Sequence, residues 1–224
     1  MRIDDVRMGT ADVTQAAAFY RDVLDLPVAV AGPRATVTVG RSTVTLDERL
    51  PIEESNHLAF TIPSNRFADA KAWLQPRVEL MSWGGGESEL RLGEPWNSES
   101  LYFLGPDRVI LELITRARLE NPSEEPFSGA QMLCVSEVGL GAPDVGQAFA
   151  SARRTFGVET FAGESRHFTT AGDQDGLLIF VTTGRPWFPT ADMGARSGGV
   201  HVTISGVSPG AVTSEAGWSV TALA

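Results

Sequence analysis

Apolar and polar residues alternate with a period of two at the start of the chain. Val6, Met8 and Thr10 fall on one face and Asp5, Arg7 and Gly9 on the other, which predicts a half-buried strand. The period then changes. Asp12 stands where an N-cap belongs, and Ala16, Phe19, Tyr20 and Val23 follow at helical spacing until Leu26-Pro27 stops the helix. β-rich runs over 27–30, 35–39 and 42–46 come next, with Gly40-Arg41 as a hairpin turn between the last two. The unit reads βαβββ.

A second unit repeats that order. Residues 57–62 alternate as a strand, and Ser64 or Asn65 is the expected cap of a helix that turns Phe67, Ala70, Trp73 and Leu74 inward. Runs over 78–80, 89–92 with 101–104, and 109–114 supply its strands. A third unit spans about 133–181, with a turn at 173–176. A fourth opens at 200–204 but is shortened, leaving room for one further strand at 218–223 and no helix.

The repetition is also literal. At a constant offset of 132, Asp12, Val13, Gln15, Ala16, Ala18 and Arg21 recur as Asp144, Val145, Gln147, Ala148, Ala150 and Arg153, and Asp5-Val6 falls on Glu137-Val138. Six identities in fifteen ungapped positions point to duplication of a whole unit. The polar, proline-bearing stretch Asn121-Pro122-Ser123-Glu124-Glu125-Pro126 reads as a linker. The expected organisation is therefore a domain of two units over 1–118, a linker over 119–130, and a second, degenerate domain of the same type over 131–224.

Composition narrows the function classes. The 224 residues carry 18 Lys+Arg against 28 Asp+Glu, a formal charge of −10. With no basic cluster to offset that balance, a phosphate backbone is repelled and nucleic acid is not an expected partner. A single cysteine, Cys134, excludes an intrachain disulfide and a cysteine-rich zinc module. The charged opening and the absence of an apolar run of about 20 residues predict a soluble, cytoplasmic protein with no membrane partner. Gly84-Gly85-Gly86 does not join a strand to a helix N-terminus, so it is read as a loop rather than a phosphate cradle.

Three segments carry a family resemblance. The first is Asp5-Val6-Arg7-Met8-Gly9-Thr10-Ala11-Asp12 with Ala18-Phe19-Tyr20-Arg21-Asp22-Val23-Leu24-Asp25-Leu26-Pro27. The second is Asn56-His57-Leu58-Ala59-Phe60, and the third runs from Leu101-Tyr102-Phe103-Leu104-Gly105-Pro106-Asp107 through Ile110-Leu111-Glu112-Leu113. In this order they resemble a vicinal oxygen chelate domain (glyoxalase/bleomycin resistance/dioxygenase), closely over 1–116 and more loosely over 131–224. The resemblance implies an α+β fold in which repeated βαβββ units form two glyoxalase-like cupped-sheet domains, the last unit shortened.

What the resemblance implies for chemistry is a divalent metal (Fe, Mn, Zn or Ni) held by the first and last strands of paired units. Residue by residue, the expected ligands are Asp5, His57 and Glu112, with Glu112 also the expected catalytic group. The position that carries a fourth ligand in glyoxalase I-like members falls on Thr45, so a three-ligand site is expected. Two carboxylates and an imidazole suit such an ion and leave positions open for a substrate. Arg7, Trp83, Trp96 and Tyr102 are the candidate substrate contacts. Glu137 and His201 mark a second possible site in the second half.

Two function classes follow. One is a metal-dependent dioxygenase, lyase/isomerase or transferase acting on a small oxygen-bearing molecule. The other is a metal-free small-molecule or antibiotic-binding protein of the bleomycin-resistance kind. Four units in one chain predict a monomer built as a pseudo-dimer, with a homodimer as the alternative.

Overall fold

The structure, a computed structural model, describes residues 1–52, 55–163 and 165–223. The first unit contains β1 (Arg2–Gly9), α1 (Val13–Ala18, continued by a wider turn over Phe19–Val23), β2 (Val28–Ala31), β3 (Arg34–Val39) and β4 (Ser42–Asp47). The second contains β5 (His57–Thr61), α2 (Phe67–Leu74), β6 (Leu90–Leu92), β7 (Ser98–Leu104) and β8 (Ile110–Arg116). The third supplies β9 (Cys134–Ala142), α3 (Val145–Phe156), β10 (Phe168–Asp173) and β11 (Gly176–Thr182). The fourth supplies β12 (His201–Ser205), β13 (Gly210–Thr213) and β14 (Ser219–Ala222), one strand more than the pattern predicts, and no helix.

Asp12 caps α1 as expected, its side chain accepting from the amides of Thr14 and Gln15 at 2.9 Å each. Asp144 repeats the device on α3 through the Gln147 amide at 2.9 Å. Neither Ser64 nor Asn65 caps α2, which begins after Arg66 with no side-chain cap. Both are engaged elsewhere: the Ser64 amide donates to Asn121 Oδ1 at 3.0 Å, and the Asn65 amide group exchanges two bonds with the Ser123 backbone. These bonds seat the crossing between the halves. The run 78–80 forms only an isolated bridge, Leu80 to Phe103.

The strands form two seven-stranded sheets, in the orders β13-β14-β12-β1-β4-β3-β2 and β10-β11-β9-β5-β8-β7-β6. Each sheet is therefore built from both halves of the chain. The first joins unit one to unit four through antiparallel β1 and β12, and the second joins unit two to unit three through antiparallel β5 and β9. This corrects the expectation that units one and two share a cup. The four seam strands carry similar alternation, which specifies the face a side chain takes but not the neighbour a strand chooses.

One face of each sheet lies in a common core. Val6 and Met8 of β1, Phe60 of β5, Leu140 of β9 and Ile204 of β12 belong to one cluster with residues of all three helices. Gly40, at φ +54° in the β3–β4 turn, lets that turn meet the chain entering β9; a Cβ there would lie 2.0 Å from the Leu133 carbonyl oxygen. The opposite face of the second sheet buries a smaller cluster around Tyr102, Ile110, Leu177, Ile179 and Trp187. That face holds the site.

Candidate metal centre

β5 is the middle strand of the second sheet, parallel to β8 on one side and antiparallel to β9 on the other. Ala59 is paired with Glu112 across β8 and with Glu137 across β9. His57 lies two residues earlier, so the period of two puts it on the same face as both carboxylates. Ala59, with only a methyl group, leaves the space between them open. All three side chains are buried.

Among the described residues, His57, Glu112 and Glu137 each offer a ligand atom within 4.8 Å of the others. His57 Nε2 lies 3.4 Å from Glu112 Oε2 and 3.7 Å from Glu137 Oε2. Arg116, the last residue of β8, donates to the other Glu137 oxygen, Oε1. Tyr102 is paired with Glu112 across β7, and its ring centre is 6.3 Å from that of His57.

The surroundings separate the two carboxylates. Burial, and then the neighbouring Glu137 charge, push Glu112 up to about 7. Burial also disfavours the ionised form of Glu137, but the Arg116 cation and His57 outweigh it and lower its pKa. For His57, burial opposes the charged form while Glu137 and Glu112 outweigh burial and raise its pKa. Burial, then Glu112, raises Tyr102 well above the ordinary phenol range.

A cavity of about 190 Å³ opens over this group, lined largely by apolar side chains that include Leu90, Trp96, Tyr102, Ile179, Trp187 and Phe188. Trp187 comes from residues 183–199, which follow β11 and cover the cup. Its ring centre is 5.5 Å from that of His57, and its indole N–H donates to the Ser55 carbonyl at 2.6 Å. Gly139 makes room for it: a Cβ there would lie 2.5 Å from the indole ring. This glycine, inside β9, is needed for a close approach rather than for a turn.

The expected site residues are thus sorted. His57 and Glu112 come together, and Trp96 and Tyr102 line the cavity. Trp83 stands beside it, its ring 4.8 Å from Phe188. Asp5 does not join them. It lies on β1 in the first sheet, where its Oδ1 accepts from Thr43 at 2.5 Å and Thr45 at 3.0 Å. Arg7 is an exposed residue of the same strand, paired with Thr45 and His201, and so meets neither Glu112 nor the cavity. Glu137 and His201 do not form a second site. His201 is in the first sheet, bonded through Nδ1 to Ser219 Oγ at 2.8 Å, whereas Glu137 completes the group around His57.

Pattern reading gives Glu137 to a second site with His201 rather than to this group, and it does not single out Arg116 or place Trp187 over this cup. A signal for Glu137 existed: the 132-residue offset lays it on Asp5, and it stands alone as a carboxylate in an otherwise apolar strand. The donor set fits a divalent ion. Two carboxylates and an imidazole converge with one compensating guanidinium, and buried like charges at this spacing call for further positive charge.

No protein-family model matches the chain. Over 120 residues it is 29% identical to the metallothiol transferase FosB of Staphylococcus epidermidis, a match covering 50% of this chain and 82% of that protein. Its fold resembles that of a dioxygenase candidate from Bacillus subtilis, with TM-score 0.62, 13% identity, and 99% of this chain on 85% of the other. It also resembles a glyoxalase I mutant from Zea mays, with TM-score 0.57, 12% identity, and 99% of this chain on 91% of the other. Four units in two cupped sheets, with the FosB likeness, make the chain similar to proteins of the vicinal oxygen chelate superfamily.

Proposed function

We propose that the chain is a metal-dependent enzyme acting on a small oxygen-bearing substrate in the cup of the second sheet, with His57, Glu112 and Glu137 as metal ligands. The observation that carries this reading is the convergence of one imidazole and two buried carboxylates beneath an apolar cavity. The names of the similar proteins, a metallothiol transferase and a glyoxalase I among them, support it. A divalent ion held there would act as a Lewis acid toward two neighbouring oxygens of the substrate.

The chain's own residues define the rest. Trp187 and Tyr102, both buried, line the cavity beside the three ligands, and this apolar wall strengthens the charge interactions there. Glu112, raised to about 7 in the metal-free cup, would hold the ion as an ionised carboxylate, so loading the cup would release its proton. With a dication the two carboxylates are balanced and Arg116 remains as surplus positive charge, so an anionic oxygen ligand is favoured. Dioxygenase, lyase/isomerase and transferase chemistry all use such a cup, and iron in particular would mark ring cleavage.

Elemental analysis of the untagged protein tests the reading. Near-stoichiometric divalent metal is expected in the wild type, lost in His57→Ala and retained in Asp5→Ala. Wild-type protein that takes up no metal after reconstitution would overturn it in favour of a metal-free ligand-binding protein.

A further inference from the structure

Arg116 is fully buried, with a relative exposure of 0%. It lies four residues after Glu112 on β8, so both side chains project from the same face. Its guanidinium carbon is 5.8 Å from the ring centres of both Trp96 and Phe161, which themselves meet edge-on at 5.3 Å. Nη2 donates to Glu137 Oε1, while Nε and Nη1 have no hydrogen-bond partner among the described residues.

Burying a guanidinium costs several kcal/mol unless its partners repay the lost hydration. Here one acceptor does so, and two nitrogens go unsatisfied. A pair serving only to stabilise the fold could be replaced by apolar side chains of similar volume, and the aromatic pocket around Arg116 would accommodate them. What an apolar replacement could not do is aim Glu137. With Oε1 held by Arg116, the carboxylate plane is set and Oε2 faces His57 Nε2 at 3.7 Å. A planar donor seated against two rings restrains that direction more tightly than a flexible ammonium would.

We propose that Arg116 is a positioning residue for the metal centre, gripping one oxygen of Glu137 so that the other is presented to the ion. The role rests on the metal-dependent reading above. It differs from a structural ion pair in acting through Glu137 on the geometry of the bound ion.

Cobalt(II) titration of the intact protein, followed by its d–d absorption bands, tests this in R116M, R116K, E137Q and the R116M/E137Q pair. Far-UV circular dichroism checks the fold. R116M is expected to bind cobalt about 10- to 100-fold more weakly with shifted bands, the range for loss of a group that orients a ligand. R116K should recover part of the affinity but not the band positions. The double variant should lose no more affinity than E137Q alone. Folded R116M with wild-type affinity and bands would overturn the role and leave the metal reading intact. If R116M fails to fold, wild-type affinity and bands in R116K overturn the role instead. A wild-type protein that takes up no cobalt overturns the metal reading and the role with it.

Discussion

Glu112 and Glu137 flank the same alanine, yet their carboxyls are pushed in opposite directions: burial and the Glu137 charge dominate at Glu112, whereas Arg116 bonds Glu137 directly. The difference has a consequence for stability. The folded, metal-free protein keeps the Glu112 proton up to about pH 7, whereas the unfolded chain releases it near 4.5. Between those values the folded state binds more protons, so stability falls as pH rises. His57 acts in the same sense, its raised pKa giving stabilisation that is full below 6.5 and lost as pH climbs through the folded value. Glu137 works at the acid end, where its stabilisation disappears as pH drops below 4.5 toward its lowered value. Melting of chelator-treated protein from about pH 5 to about pH 8 should therefore show a declining Tm, and metal should flatten the decline by binding the deprotonated ligands. A flat metal-free profile would contradict these surroundings.

The elements show which local signals were readable. Asp12 and Asp144 stand at matching repeat positions and cap their helices in the same way. Replacing either by alanine should cost about 1 kcal/mol in denaturant unfolding, with little effect on metal content, since neither approaches the cup. A helix cap is legible because it needs only a short side chain and the next three residues. The start of α2 was not, because Ser64 and Asn65 are drawn instead to Asn121 and Ser123, more than fifty residues away. The position of the cover over this cup was equally non-local. Trp187 gains its position from the Ser55 carbonyl and from the absence of a side chain at Gly139, neither of which is near it in sequence.

At the scale of the whole molecule the two halves are interleaved. Residues 1–118 contain β1 and β5 but not β12 or β9, the strands that pair with them. Alone, this fragment would expose two unpaired edges and lack Glu137; residues 131–224 would lack the partners of both sheets. Each fragment expressed singly is expected to be poorly folded and metal-free, and the two together to restore cooperative unfolding and metal binding. A fragment 1–118 that folds cooperatively and binds stoichiometric metal on its own would show that units one and two can form a cup without the other half.

The sequence by itself determined most of the order of strands and helices, the repeat that lays 12–26 on 144–158, the cap at Asp12, and two of the three converging side chains, His57 and Glu112. These follow from local periods, from short-range hydrogen bonding, and from a resemblance carried by contiguous residues. Only the tertiary structure decided that Glu137 rather than Asp5 is the third. Both stand at equivalent positions of duplicated units, on strands of the same alternation, and that alternation says which face a carboxylate occupies. Which strand lies next to β5 depends on how two apolar sheet faces close into one core. In that packing β9 lies beside β5, while Asp5 is carried into the other sheet and held by Thr43 and Thr45.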